Sequence, residues 1–189
     1  MSGSLRLFVA ARVPEDRLAQ LDALVESLRA KLTNARWTAP ATQHLTLKFL
    51  GSVPGDRLDA VIQTTAMVAA GHKRAHLTLT DLGAFPTRTR VRILWVGVDD
   101  PAGCLNGIAS DLDRAFEPLG FPSEGRAYNP HVTMARFKLP VPLRSGFPSI
   151  DTSGIEAFVV DELTLFRSHL SPKGARYEVV EALPLGSMR

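Results

Sequence analysis

The chain has one cysteine, Cys104, among its 189 residues. A single thiol closes no intramolecular disulfide, so nothing here is built for an oxidising compartment, and a cytoplasmic setting is expected. Long hydrophobic runs are missing too. No stretch approaches the ~20 apolar residues that span a bilayer. The opening MSGSLRLFVAARVP has Arg6 inside its short apolar run and Arg12 just after it, which does not make the core of a signal peptide. No membrane partner is expected. There is no Gly-x-Ser-x-Gly elbow for a serine hydrolase. No Gly-x-x-x-x-Gly-Lys-Ser/Thr loop is present either, which argues against nucleoside triphosphate hydrolysis. Charge of one sign is not dominant. The net +3 and pI of about 9.3 admit a polyanionic partner without requiring one.

What is present is an ordinary globular composition, 45% hydrophobic and 22% charged, long enough for a substantial core. Leu5 to Val13 reads as a strand. Pro14 opens a helix with Glu15 and Asp16 in its first turn and Leu18, Leu21, Val25, Leu28 and Leu32 on one face. His44 to Leu50 reads as a strand stopped by Gly51. A second helix follows Pro54 and Gly55, with Leu58, Val61, Ile62, Thr65 and Val68 on its face. His76 to Leu82 and Val91 to Val98 are strand-like, with a loop over Gly83 to Thr89. Pro101 opens a third helix faced by Leu105, Ile108, Leu112, Ala115 and Leu119, and Cys104 lies on that apolar face as a structural thiol. His131 to Phe137 is again strand-like. Leu139 to Thr152 reads as a surface loop, and Ile155 to Phe166 and Arg176 to Leu183 as closing strands joined by a turn at Leu170 to Gly174.

Two of these strands carry the same pattern. His44-Leu45-Thr46-Leu47 and His131-Val132-Thr133-Met134 are 87 residues apart. In a strand, residues i and i+2 share a face, so each presents a His and a Thr together. The neighbouring elements repeat at nearly the same spacing: Leu5 to Val9 with Val91 to Trp95, Pro14 with Pro101, and Leu77 to Leu79 with Leu163 to Leu165. The expected architecture is α+β, a single bilobal domain over 1–189 with halves of roughly 1–90 and 91–189. Two pseudo-two-fold-related lobes, each an antiparallel sheet with helices on its outer side, would enclose a cleft. His76-Leu77-Thr78-Leu79 also fits the pattern, but its repeat partner is no histidine, so His76 is assigned no role. His72 reads as solvated, and His169 as a loop residue able to approach a substrate.

Two imidazoles in one cleft can divide acid and base work near neutral pH. No Cys cluster, His-x-x-x-His or paired carboxylate accompanies His44 and His131, so neither a metal nor a cofactor is expected. Hydrolysis of a strained cyclic phosphodiester needs one group to deprotonate water and one to protonate the departing ribose oxygen. Thr46 and Thr133 can donate to the non-bridging oxygens, where charge gathers. Lys48, two past Thr46, is read on the same face. Arg136 can clamp phosphate, and Tyr128 or Phe85 can stack on a base, although core packing is the stronger reading for Phe85.

The paired His-x-Thr-x motifs in a duplicated chain resemble the 2H phosphoesterase superfamily. Arg36-Trp37, the block His44 to Gly51, Phe85-Pro86, Leu94 to Val98, Pro130 to Arg136 and Leu165 to Ser168 are similar to the RNA 2′,3′-cyclic phosphodiesterase family, also called 2′-5′ RNA ligase. The resemblance implies hydrolysis of RNA 2′,3′-cyclic phosphate ends to 2′-phosphate ends; the expected partner is such RNA, tRNA fragments among it, and the expected state a monomer. It gives His44 as the proton donor to the 3′-oxygen and His131 as the base for water. It also implies reversible, ATP-independent joining of such ends to a 5′-hydroxyl. Two alternatives stand beside it: an RNA-end-binding module with little turnover, and a phosphodiesterase acting on a small cyclic nucleotide.

Overall fold

The computed structural model describes residues 3–143, 147–171 and 174–186. The chain runs β1 (Ser4–Arg12), α1 (Glu15–Lys31), β2 (Ala35–Trp37), β3 (His44–Pro54), α2 (Leu58–Ala70), β4 (Ala75–Thr87), β5 (Arg90–Asp99), α3 (Cys104–Phe116), β6 (His131–Val141), β7 (Phe158–Val160), β8 (Glu162–Ser171) and β9 (Gly174–Pro184). The helices bury the faces that their periodicity sets up: Leu18, Leu21, Val25 and Leu28 in α1, Val61, Thr65 and Val68 in α2, and Leu105, Ile108 and Leu112 in α3. Each such aliphatic side chain contributes about 1.5–3 kcal/mol on leaving water. Cys104 is half-buried and packs against that core.

Several boundaries differ from expectation, each for a local reason. α3 begins at Cys104 rather than at Pro101. Gly103 takes a left-handed φ of 67° ahead of the helix, and the Asp100 carboxylate accepts the Leu105 N–H. The loop expected at Gly83 to Thr89 is mostly strand, because β4 pairs Phe85 with Ile93 and Thr87 with Arg90. β6 likewise runs on to Val141, which pairs with Val91, so the expected loop starts later. Residues 144–146 of that loop, and 172–173 of the expected turn at 170–174, lie outside the described residues. The expected strand Ile155 to Phe166 is two strands separated by Asp161. β7 pairs with β4, whereas β8 pairs with β1 and β9.

The sheet order among the described residues is β7-β4-β5-β6-β3-β1-β8-β9, with β2 added alongside β6. The order reads the same from both ends about the β3–β6 junction. On one side β3, β1 and β8 follow in turn, and on the other β6, β5 and β4. The third strand of each lobe comes from the opposite half of the sequence, β8 beside β1 and β4 beside β5. The two halves are thereby threaded through one another, and the motif strands of both meet at the centre. The main hydrophobic cluster fills the helix side of the sheet, while a small separate cluster of Phe8, Ala10 and Phe166 lies on the opposite, open side.

Candidate active site

The two motif strands are joined antiparallel through Leu45 and Val132, both fully buried. Continuing that register by one residue sets His44 beside Thr133 and Thr46 beside His131. All four are half-buried on the open side. His44 Nδ1 lies 2.9 Å from the Thr42 carbonyl oxygen, and His131 Nδ1 lies 2.7 Å from that of Asn129. A carbonyl only accepts, so each Nδ1 carries the hydrogen, and in the neutral ring each Nε2 is left as the acceptor. The repeat therefore extends to how each ring is held, by the carbonyl two residues before it.

A second repeated device follows each threonine. In β3, Ala10 pairs with Thr46 but Val9 with Lys48, leaving Leu47 as an extra residue. In β6, Trp95 pairs with Thr133 but Leu94 with Ala135, leaving Met134 extra. Each is a β-bulge, and two consecutive side chains turn to the core: Leu47 with Lys48, and Met134 with Ala135. This corrects the reading of Lys48. It does not share the face of Thr46. It is 1% exposed, and its Nζ donates to Asp113 Oδ1 at 2.5 Å and to the Pro122 carbonyl at 3.0 Å. The same phase shift brings Phe49 and Arg136, at equivalent positions of the two strands, to the open side.

A cavity of about 390 Å³ opens there, with His44, Thr46, Phe49, Thr133, Arg136 and Tyr177 in its wall. Its wall leans towards the first lobe, and His131 is not part of it. His44 nevertheless feels the charge of His131, and both histidines feel Arg136. Aromatic rings surround each imidazole. Phe8 and Tyr177 lie 4.9 and 5.1 Å from His44, and Phe85 and Trp95 lie 5.0 and 5.8 Å from His131. Burial among these rings lowers the His44 pKa to about 4, against the opposing bond to Thr42 and with help from Arg136. Burial also lowers that of His131. Both rings are thus neutral at neutral pH.

A stability consequence follows. An unfolded histidine titrates near 6.5, before folded His44 does, so between pH 6.5 and about 4 the unfolded chain holds more protons. The ligand-free protein should lose melting temperature as pH falls through that window, and His44→Gln should flatten the fall. An unchanged slope in the variant would remove His44 as its source.

Tyr128 is outside the cavity wall. It packs against the core with its hydroxyl buried, and burial and Asp100 raise its pKa. The reading of Tyr128 as a base platform is therefore corrected, and the exposed ring at the cavity is Phe49, 56% accessible. Phe85 packs edge-on to His131. His76 sits on β4 opposite Val159, away from the motif strands. His72 is not merely solvated, since it bonds Asp111 of α3 at 2.9 Å. His169 is in β8, not a loop, and bonds Glu178 of β9 at 2.6 Å. Phe8, Phe49 and Tyr177 were not foreseen as cleft residues. For Phe49 the only available signal is its equivalence to Arg136, five residues after each histidine.

The LigT like Phosphoesterase family matches twice, over residues 12–95 and 96–177, once on each half. The chain belongs to that family. A curated RNA 2′,3′-cyclic phosphodiesterase from Geobacillus stearothermophilus is 32% identical over 185 residues, covering 94% of this chain and 56% of its own length. Another with that name, from Methanothermobacter thermautotrophicus, is 27% identical over 184 residues and is covered over 99% of its length. The crystal structure of E. coli LigT complexed with 3′-AMP superposes with a TM-score of 0.79 at 25% identity, covering 97% of this chain and 99% of that one. The curled antiparallel sheet with few helices is thus the fold of this family. No helix among the described residues is long and apolar enough to cross a membrane.

Proposed function

We propose that this protein hydrolyses RNA 2′,3′-cyclic phosphate ends to 2′-phosphate ends. The observation that carries the reading is the pair of Nε2 atoms, each fixed by an Nδ1–carbonyl bond, on adjacent strands that also present Thr46, Thr133 and Arg136. Relatives carrying that activity in their names support it, as does a family structure holding 3′-AMP.

His131 Nε2 takes a proton from water as the water oxygen bonds to phosphorus. The P–O3′ bond breaks, and protonated His44 Nε2 gives its proton to O3′. The products are a 2′-phosphomonoester and a 3′-hydroxyl, and the two rings re-equilibrate with solvent. Thr46, Thr133 and Arg136 stabilise the charge on the non-bridging oxygens. Burial and the neighbouring Arg136 guanidinium disfavour the charged form of His44, so the anionic end supplies the field that lets His44 hold its proton. A ribose 5′-hydroxyl in place of the water would give the 2′-5′ linkage by the same bond changes, with no triphosphate needed. The protein acts as a cytoplasmic monomer without a metal, on RNA ends that include tRNA fragments.

The test is an RNA ending in 2′,3′-cyclic phosphate, incubated with the protein in chelator. A 2′-phosphate end is expected. An unchanged end, or a 3′-phosphate, counts against the reading. Arg136→Ala should cost about 10–100-fold in kcat/KM, the equivalent of losing a hydrogen bond to a charged group worth ~1.5–3 kcal/mol. If Arg136→Lys restores most of it, charge rather than the guanidinium fork is what matters there.

A further inference from the structure

The open side of the two lobes is chemically unequal. On the first lobe it carries the aromatic rings of Phe8, Phe49 and Tyr177, with Arg6 as a cation in the cavity wall. On the second it carries cations beyond Arg136. β5 and β6 are adjacent, with Ile93 opposite Arg136. Lys138 follows Arg136 by two residues, with buried Phe137 between them, so Lys138 points to the same open side. On β5 buried Val91 separates exposed Arg90 and Arg92, which turn away from the core in the same way. Nothing acidic offsets these charges locally: residues 82–98 and 125–150 contain no Asp or Glu. None of the ion pairs among the described residues uses Arg90, Arg92 or Lys138. Arg88, on the same hairpin, is instead held over the Phe147 ring at 4.3 Å.

We propose that Arg90, Arg92 and Lys138 form a binding strip for the RNA chain upstream of its cyclic end. This rests on the functional reading above and adds to it a preference for long ends over single nucleotides. Arg136 belongs both to the cavity and to the start of the strip, so one polyanion fills both. Side chains two apart on a strand stand about 6.6 Å along it, a spacing that suits successive phosphates of an extended single strand. The division of labour is then a base against the aromatic lobe and upstream phosphates over the basic lobe. The strip contacts no reacting atom and reads no sequence, because phosphate contacts position a strand without specifying its bases.

The experiment compares adenosine 2′,3′-cyclic phosphate with a single-stranded 12-mer ending in 2′,3′-cyclic phosphate, at 50 and 200 mM salt. The proteins are wild type, the triple variant R90Q/R92Q/K138Q, and a charge-matched control K31Q/K73Q/R74Q on exposed sites elsewhere. The strip variant should retain the mononucleotide kcat/KM within about twofold and lose at least about tenfold on the 12-mer at 50 mM. Three phosphate contacts at ~0.7 each should also lower its log–log salt slope on the 12-mer by about 2, roughly twentyfold over that salt range. The control should match wild type on both substrates. Equal losses in the strip variant and the control, or an equal loss on both substrates, would overturn the strip alone. Should acidic protein segments compete with the mononucleotide while the 12-mer shows no advantage, the strip binds protein, and the proposal falls. No hydrolysis of either substrate by wild type would overturn the functional reading and the strip with it.

Discussion

His131→Ala and His44→Ala should each lower kcat/KM on a cyclic-phosphate RNA end by about 10²–10⁴-fold, the usual contribution of one positioned acid or base. Neither should unfold the protein. Each ring makes one carbonyl bond and sits half-buried at the open side, not in the helix-side core. A double variant should be little worse than either single one, because groups that act in one transition state are not additive. The two losses can be told apart by the leaving group. A substrate with sulfur in place of the 3′-oxygen departs as a thiolate and needs little protonation. It should rescue His44→Ala and leave His131→Ala slow. Equal rescue of both would show that the acid and base roles are not divided as assigned. If instead His131→Ala were rescued, the assignments would be reversed.

The duplication explains why so much of this arrangement could be read from residues alone. A period of two puts a His and a Thr on one strand face whatever the sheet around them does. The shared spacing of 87 residues then implied that the two faces meet, and Leu45 does pair with Val132. What could not be read was the phase after each threonine. An extra residue at Leu47 and at Met134 reverses which side the following residues face. Alternation therefore assigned Lys48 to the cleft and missed Phe49, while Arg136 depends on the bulge for its place there. A bulge has no hydrophobic signature of its own in a strand buried on one side. Its trace is two adjacent positions that both tolerate burial, and a lysine obscured that trace at Lys48. Tyr177 was out of reach for a different reason. It lies on β9, which joins the first lobe only because β8 crosses to pair with β1, and that crossing is a property of the whole sheet.

Lys48 also makes the largest stability prediction. Its ammonium is enclosed, and its partners tie three places together: the β3 bulge, α3 through Asp113, and the segment after α3 through the Pro122 carbonyl. Asp113 Oδ2 in turn accepts the Glu124 N–H at 3.1 Å, in the segment that leads to His131. Asp113→Ala strands a buried cation on one carbonyl. Breaking a buried pair in this way costs about 3–5 kcal/mol. Asp113 is itself a quarter exposed, so the lower end applies, and about 3 kcal/mol in a chain of this size is a fall of roughly 6–12 °C in Tm. Lys48→Met should behave oppositely despite touching the same pair. It removes the charge that needs compensation, keeps similar volume against the core, and leaves a carboxylate that solvent and the Glu124 N–H can still satisfy. Its Tm should stay within a few degrees of wild type. The comparison is decided by thermal melts of the two variants side by side. If Lys48→Met melts as low as Asp113→Ala, the pair is a net source of stability rather than a buried charge that must not be left alone. The bulge that turns Phe49 to the cleft would then depend on the lysine itself.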